Sequence, residues 1–385
     1  MTRVALVHDW LTGMRGGERC LEAMLALFPD AELFTLLHRP GAVSPRIEAC
    51  PIHTSFVQRL PRAARFYRHY LPLFPAAAER FDLRGYELVV SISHCVAKGV
   101  RPPPGVPHLC YCLTPMRYVW DLYDAYFGPE RAGPLVRAVM PALARRLRRW
   151  DVRSTARAHR LVACSHYVAE RIRRCYGREA PVVYPPVEVE RFRPAERRED
   201  FYLAVSALVP YKRIELAVEA FNRLERRLVV VGTGPELPRL RRAAGRHVTF
   251  LGWLGDAEVA EWYGRCRACV FPTEDEFGIT AVEAQAAGAP VIAYARGGAA
   301  ETVLGASEPP GAGERPTGVF FCEPSAESLM QAVLRFERLP VFEVAALQRH
   351  ARRFSVAAFQ AGIRAQVEGL LGGEASALRP HTARR

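Results

Sequence analysis

The chain has 385 residues, 50% hydrophobic and 24% charged, an ordinary globular composition with room for two domains. No apolar run is long enough to span a bilayer, and the opening "MTRVALVHDW" reads as a first strand and not a signal peptide, so a cytoplasmic location is expected. With 53 Lys and Arg against 40 Asp and Glu, the net charge of +13 points to anionic partners: nucleotide phosphates, an acidic membrane surface or nucleic acid.

Strand-like runs alternate with helix-like patterns, which argues for α/β architecture with parallel sheets. In the first half "RVALVHDW", "ELVVSIS", "HLCYCLT" and "RLVACS" read as buried strands. "GGERCLEAMLALF" reads as the first helix, apolar at Leu21, Met24, Leu25 and Phe28. Two basic clusters lie here. Residues 59–74, "RLPRAARFYRHYLPLF", mix Arg with Phe66, Tyr67, Tyr70, Leu71 and Phe74. They fit an interfacial segment on anionic lipid, or a charged face over core aromatics. Residues 144–160 are read as a solvated charged face whose apolar residues serve packing. The stretch "VVYPPVEVERFRPAERRED", with Pro185 and Pro186, reads as an exposed linker.

A second alternation starts at Phe201, with strands at "FYLAVSALV", "RLVVVGTG", "HVTFLGW", "ACVFPT" and "PVIAYA" and a helix at "RIELAVEAFNRL". Two doubly wound halves follow, each binding ligands at the carboxyl ends of its strands, with the cleft between them as the natural site. The ten Cys lack framework spacing, and the CxxC of Cys266 and Cys269 has no second pair, so free thiols are expected.

Three stretches of the second half carry chemistry. Gly232, Thr233 and Gly234 form a strand-to-helix turn, suited to a phosphate or simply tight. Lys212 and Arg213 follow a strand and open a helix, a place for a diphosphate or for two solvated charges. Glu274, Asp275 and Glu276 run into Phe277, Gly278 and Ile279 at a strand-to-helix junction, and Glu283 follows on the helix. Carboxylates there can accept hydrogen bonds from sugar hydroxyls; a helix dipole would account for the first acids but not for Glu283.

Together with "HDWLTGMRGGERCLEAM", "TPMRYVWD", "ACSHYVAERIRRCYG", "VVYPPVEVERF", "VPYKRIELAVEAF", "FPTEDEFGITAVEAQAAGAPVIA" and "GGAAETV", these blocks run in order over nearly the whole chain. The sequence resembles the family 4 retaining glycosyltransferases of the GT-B fold, and most of all bacterial mannosyltransferase-like members that build surface polysaccharides. The resemblance implies an α/β, GT-B architecture of two Rossmann-like domains facing across a deep cleft. It implies an N-terminal acceptor domain at 1–184, a nucleotide-sugar-binding domain at 185–354, a final helix at 355–372 that rejoins the first domain, and a flexible basic tail at 373–385.

The resemblance also implies roles. Gly16 and Gly17 would lie against the donor diphosphate and Lys212 would pair with it. Asp275 would contact the transferred sugar and Glu283 the nucleotide ribose. Phe277, Gly278 and Ile279 would offer backbone N–H groups, and Gly297, Gly298 and Glu301 would lie close to the nucleotide. Asp275, Glu276 and Lys212 form the expected catalytic set, with Arg213, Gly232 and Gly234 added to the donor contacts. Asp9, Thr114 and Arg117 are candidate acceptor or sugar contacts. Three positions depart from the family: Asp275 stands for a Glu, Ala207 for an Arg, and Leu113 for a His before Thr114 and Pro115. His8 and His94 are the candidate replacements for that His.

No Asp-x-Asp motif exists in the chain, so neither a metal nor a cofactor is expected, and fixed cations with backbone donors would carry the diphosphate charge. The expected activity is metal-independent transfer of a sugar, mannose from GDP-mannose before a UDP-sugar, to a glycan or lipid-linked acceptor, at the inner face of the membrane if the protein is peripheral. A nucleotide-sugar epimerase or a degenerate nucleotide-sugar-binding protein has the same architecture. No nucleic-acid-reading module is present, and no nucleic-acid partner is expected.

Overall fold

The computed structural model of the chain describes residues 2–128, 133–307 and 315–377. It divides into two units: the chain up to Pro186 together with Phe359 onward, and Val187–Ala358.

The first unit is built on six parallel strands, β1 (Val4–His8), β2 (Glu32–Thr35), β3 (Ile52–Thr54), β4 (Leu88–Ser93), β5 (His108–Cys112) and β6 (Arg160–Ala163). Their order across the sheet is β3-β2-β1-β4-β5-β6. β1, β4 and β5 are buried at every position. A parallel sheet covered on both faces demands such unbroken apolar runs, which is why they are plain in the sequence. β2 and β3 are not: they are short, and Glu32, His53 and Thr54 interrupt the apolar signal. The helix Gly16–Leu27 buries Cys20, Leu21, Ala23, Met24 and Leu25, while Phe28 is its C-terminal cap.

The second unit repeats the plan with β7 (Tyr202–Val205), β8 (Leu228–Val231), β9 (Val248–Gly252), β10 (Ala268–Phe271), β11 (Val291–Tyr294) and β12 (Gly318–Phe321), in the order β12-β11-β10-β7-β8-β9. Its core joins Tyr202, Phe221, Ile292, Phe321, Leu329 and Phe336. β12 is a four-residue strand with no apolar run on its amino side, and sequence reading passes over it. In both sheets the strand order reverses beside the first strand, between β1 and β4 and between β7 and β10. That reversal is where an open α/β sheet leaves a crevice at its carboxyl edge.

Three expectations change. Residues 182–200 are no exposed linker: Val183, Val187, Val189 and Phe192 are buried, and Val187 pairs with Ser355. In residues 59–74 the aromatics turn inward, for Tyr67, Leu71 and Phe74 belong to a core with Trp10, Met116 and Leu147. Tyr67, Leu71 and Phe74 are committed to packing, Leu73 is exposed, and the Arg residues line the outer side. The last helix, Val356–Ala377, continues five residues into the segment expected as a tail; residues 378–385 lie outside the described residues. From Phe359 it packs on the first unit through Phe359, Ile363, Val367 and Leu370, with the Phe359 ring edge-on to Tyr111 and Gln360 donating to the Ala23 carbonyl.

Beneath the first sheet lies a fully buried ion pair, Lys98 to Asp151 at 2.5 Å. Asp151 also accepts from Trp120 Nε1 and Tyr176 Oη, both at 2.8 Å, and Lys98 donates to the Cys95 carbonyl. Burial works against the charged Lys98, but Asp151 outweighs it and the ammonium is held above its usual range. None of the ten Cys is in a disulfide, Cys266 and Cys269 included, and burial pushes the Cys266 thiol up to about 12.

Candidate functional site

At the second unit's switch point, β7 leads through Ser206 and exposed Ala207 to the turn Pro210–Lys212, and β10 leads to Thr273 and the acidic run. Thr273 Oγ1 donates to the Tyr211 carbonyl at 3.3 Å, tying the two ends together. Lys212 Nζ lies 2.5 Å from Asp275 Oδ2. The next residue, Arg213, takes a left-handed φ of 52° before the helix Ile214–Leu224. Its guanidinium lies 5.4 Å from the Tyr294 ring centre, and Nη1 is buried with no hydrogen-bond partner among the described residues. Such a donor is costly to leave unmade, so it suits an anion.

The loop after β11 closes on the same place. Gly298 N donates to the Asp275 carbonyl at 2.8 Å. A Cβ at Gly298 would lie 2.2 Å from Phe277 Cα, and one at Gly297, whose φ is +72°, would lie 2.5 Å from the Asp275 carbonyl oxygen. The structure thus brings Lys212, Arg213, Asp275, Phe277, Gly278, Gly297 and Gly298 together. Gly278 caps the helix Ile279–Ala286, Glu276 stands half-buried before it, and Glu301 is on the short helix Ala299–Thr302. Glu283 lies one turn along the helix with other partners: Tyr263 Oη donates to Oε2 at 3.2 Å, and Arg191 Nη2 is 4.0 Å from Oε1. Gly232 and Gly234 sit against backbone, where added Cβ atoms would fall 1.9 Å from the Ser206 and 2.2 Å from the Leu208 carbonyl oxygens. Their geometry answers to loop packing.

At the first unit's switch point, β1 ends in His8 and runs on to Asp9, and β4 runs on to His94. Asp9 is fully buried and accepts from the backbone N–H groups of His94, Cys95, Val96 and Ala97 at 2.6–2.9 Å. Burial raises its pKa, the His94 and His8 rings and the backbone N–H groups lower it, and the lowering wins. His94 Nδ1 is 3.2 Å from Asp9 Oδ2, and Trp10 meets the ring edge-on at 4.5 Å. Burial pushes the His94 pKa down to about 4. His8 Nε2 is 3.4 Å from Glu18 Oε1, and Glu18 Oε2 accepts from Arg15 N at the start of the helix Gly16–Leu27. Gly17 faces both His8 and Leu113: a Cβ there would lie 3.2 Å from His8 Cε1 and 3.1 Å from Leu113 Cδ1. Thr114 is buried, its hydroxyl donating to the Pro115 carbonyl, and Arg117 is half-buried beyond it. Gly16, Gly17, His8, Asp9 and His94 therefore gather at one edge.

Residues 187–355 match the family of glycosyl transferases group 1. That match falls on the second unit. The chain is similar to a GDP-mannose-dependent alpha-(1-6)-phosphatidylinositol monomannoside mannosyltransferase of Mycobacterium tuberculosis, 34% identical over 171 residues, covering 36% of this chain and 44% of the relative. It is also similar to a D-inositol 3-phosphate glycosyltransferase of Streptomyces bingchenggensis, 34% identical over 176 residues, covering 37% and 39%. The chain thus spans less than half the length of the curated relatives it matches. The solved sucrose-phosphate synthase from Thermosynechococcus elongatus aligns with 97% of this chain and 100% of its own at a TM-score of 0.68 and 19% identity. That likeness is one of fold, and the fold is GT-B.

Within the second unit, sequence reading misses Arg191 and Tyr263, which are partners of Glu283. Arg191 sits in the segment taken for a linker, and Tyr263 is twenty residues from the acid it holds. In the first unit it misses Glu18, whose one signal is an acid in the first turn of a helix. Among the described residues no group of three His, Cys, Asp or Glu is arranged to hold a metal ion.

Proposed function

We propose that the chain is a retaining glycosyltransferase that moves mannose from GDP-mannose to a glycan or lipid-linked acceptor in surface-polysaccharide synthesis, without a metal. The observation that carries this is the cation pair at the switch point of the second unit. Lys212 stands beside Asp275, and a buried N–H of Arg213 has no hydrogen-bond partner among the described residues. Donors fixed around a low-dielectric site can stabilise a departing diphosphate with no reorganisation during reaction. Asp275 then orients the sugar through its hydroxyls and Glu283, held by Tyr263, takes the ribose diol. The C1–O bond to the diphosphate breaks, the bond from the acceptor oxygen to C1 forms on the same face, and the acceptor proton passes to the diphosphate oxygen. Mannose and GDP are favoured by the similarity to the mycobacterial mannosyltransferase.

The test is nucleotide release by the purified protein with EDTA present, with GDP-mannose or a UDP-sugar as donor and a lipid-linked oligosaccharide as acceptor. Release of GDP with the product anomer unchanged is expected, and Lys212→Ala should lower the rate about 100- to 1,000-fold. Release of UDP alone would replace the donor, activity only when Mg²⁺ is restored would overturn metal independence, and a glycosyl adduct trapped on Asp275 or Glu276 would sink the front-face route.

A further inference from the structure

The solvent face of the helix Pro134–Thr155 changes character along its length. Its first turns leave Leu135 at 78%, Val136 at 44% and Val139 at 56% exposure. No other five-residue window of the described chain exposes more than one large apolar side chain to that degree, so this is a patch and not scatter. Leu135, Val139, Ala142, Arg146, Arg149 and Arg153 follow one another at spacings of three and four, so they form one stripe along the helix. Eighteen residues at the helical rise make it about 27 Å long. All six are exposed, and exposed Arg145 flanks the stripe. The opposite face is committed to the core through Met140, Ala144, Leu147 and Asp151. Asp151 is the one acid of the helix, and Lys98 occupies it in the interior. Outward, the helix presents an aliphatic tip, a row of Arg and no acid.

We infer that this stripe docks on an anionic lipid bilayer. The aliphatic tip enters the acyl boundary, and the Arg row lies at the phosphates of the headgroups. Both halves of the stripe are then used, as an amphipathic helix in the plane of a membrane uses its two characters. A nucleic acid would match the Arg row and gain nothing from the tip. A protein partner would need an equally long acidic ridge ending in an apolar pocket, whereas a bilayer offers a continuous negative surface over an apolar layer. The net charge of +13 adds attraction of the same sign. The surface falls on this helix and not on residues 59–74, whose Tyr67, Tyr70 and Phe74 pack in the core. This inference goes beyond the donor reading and does not depend on it.

The test is co-sedimentation of the full chain with vesicles of phosphatidylcholine alone and of phosphatidylcholine and phosphatidylglycerol in equal parts. Binding to the second and not the first is expected. Each Arg at such a surface is worth about a fivefold change in partitioning, so Arg145→Gln with Arg149→Gln should weaken binding about 25-fold. Leu135→Ser with Val139→Ser should weaken it at fixed charge. Equal binding to both vesicles, binding to neither, or full retention in both variants would overturn the inference. So would a Leu135→Ser, Val139→Ser variant that keeps vesicle binding but splits a dimer in light scattering, because a second copy would then cover the face. The nucleotide-induced rise in melting temperature is read alongside: variants that keep it are folded, and its absence in the unmodified chain would count against the donor reading alone.

Discussion

Among single residues, Asp9 shows how a polar side chain can look like a ligand contact and serve as a brace. Read from the sequence it is a candidate sugar contact; in the structure its two oxygens hold four backbone N–H groups and fix the start of the loop after β4. Asp9→Asn would keep one acceptor oxygen and set an NH₂ against N–H donors. It should cost at least about 3 kcal/mol, read as a lower denaturant midpoint at unchanged slope. Removing the Lys98 charge with Lys98→Met should cost about 3–5 kcal/mol, because Asp151 stays buried and loses its cation; a loss below about 1 kcal/mol would contradict that. Lys212 and Asp275 are legible in the sequence because a cation after a strand and an acid before a helix are types that suit phosphates and sugars. Arg191, Tyr263 and Glu18 are not, because what makes them matter is a partner that only the fold brings near.

For whole elements, legibility follows burial. Strands covered on both faces, such as β1, β4 and β10, announce themselves as apolar runs, while β2, β3 and β12 are held in place by their neighbours and carry too little pattern of their own. The supposed linker at 182–200 fails for a related reason: Pro185, Pro186 and its charges are conspicuous, and the apolar residues that anchor it are spaced between them. The loop after β11 is the element on which the site depends most. Gly298→Ala would drive a Cβ into the Phe277 backbone. The predicted outcome is about 1–3 kcal/mol lost by melting and a nucleotide affinity reduced at least tenfold, since the displaced loop no longer supports Asp275.

Across the molecule, stability should depend on pH with a definite sign. Burial pushes His94 and His108 down to about 4 in the folded state, against about 6.5 in the unfolded chain. The unfolded chain therefore binds more protons between those values, and stability present above about pH 6.5 is lost as pH falls towards 4. Asp9 and Glu18, whose pKa values are lowered on folding, extend the loss below that. Denaturant midpoints measured from pH 7 to pH 4 should fall steadily, and His108→Gln, which keeps a partner for Ser91, should flatten the fall; a midpoint that rises over this range would contradict the assignment. The two doubly wound units could be read from the alternation of strands and helices, while the return of the last helix from Phe359 to the first unit is a matter of topology that no local pattern encodes. The most direct test of the donor site is thermal melting of the purified chain with GDP, GDP-mannose, UDP and UDP-glucose, with EDTA present throughout. A ligand that binds the folded state must raise the melting temperature. A rise with GDP and GDP-mannose that disappears in both Lys212→Ala and Glu283→Ala is the predicted result, and no rise with any nucleotide, or a rise that survives both substitutions, would contradict it.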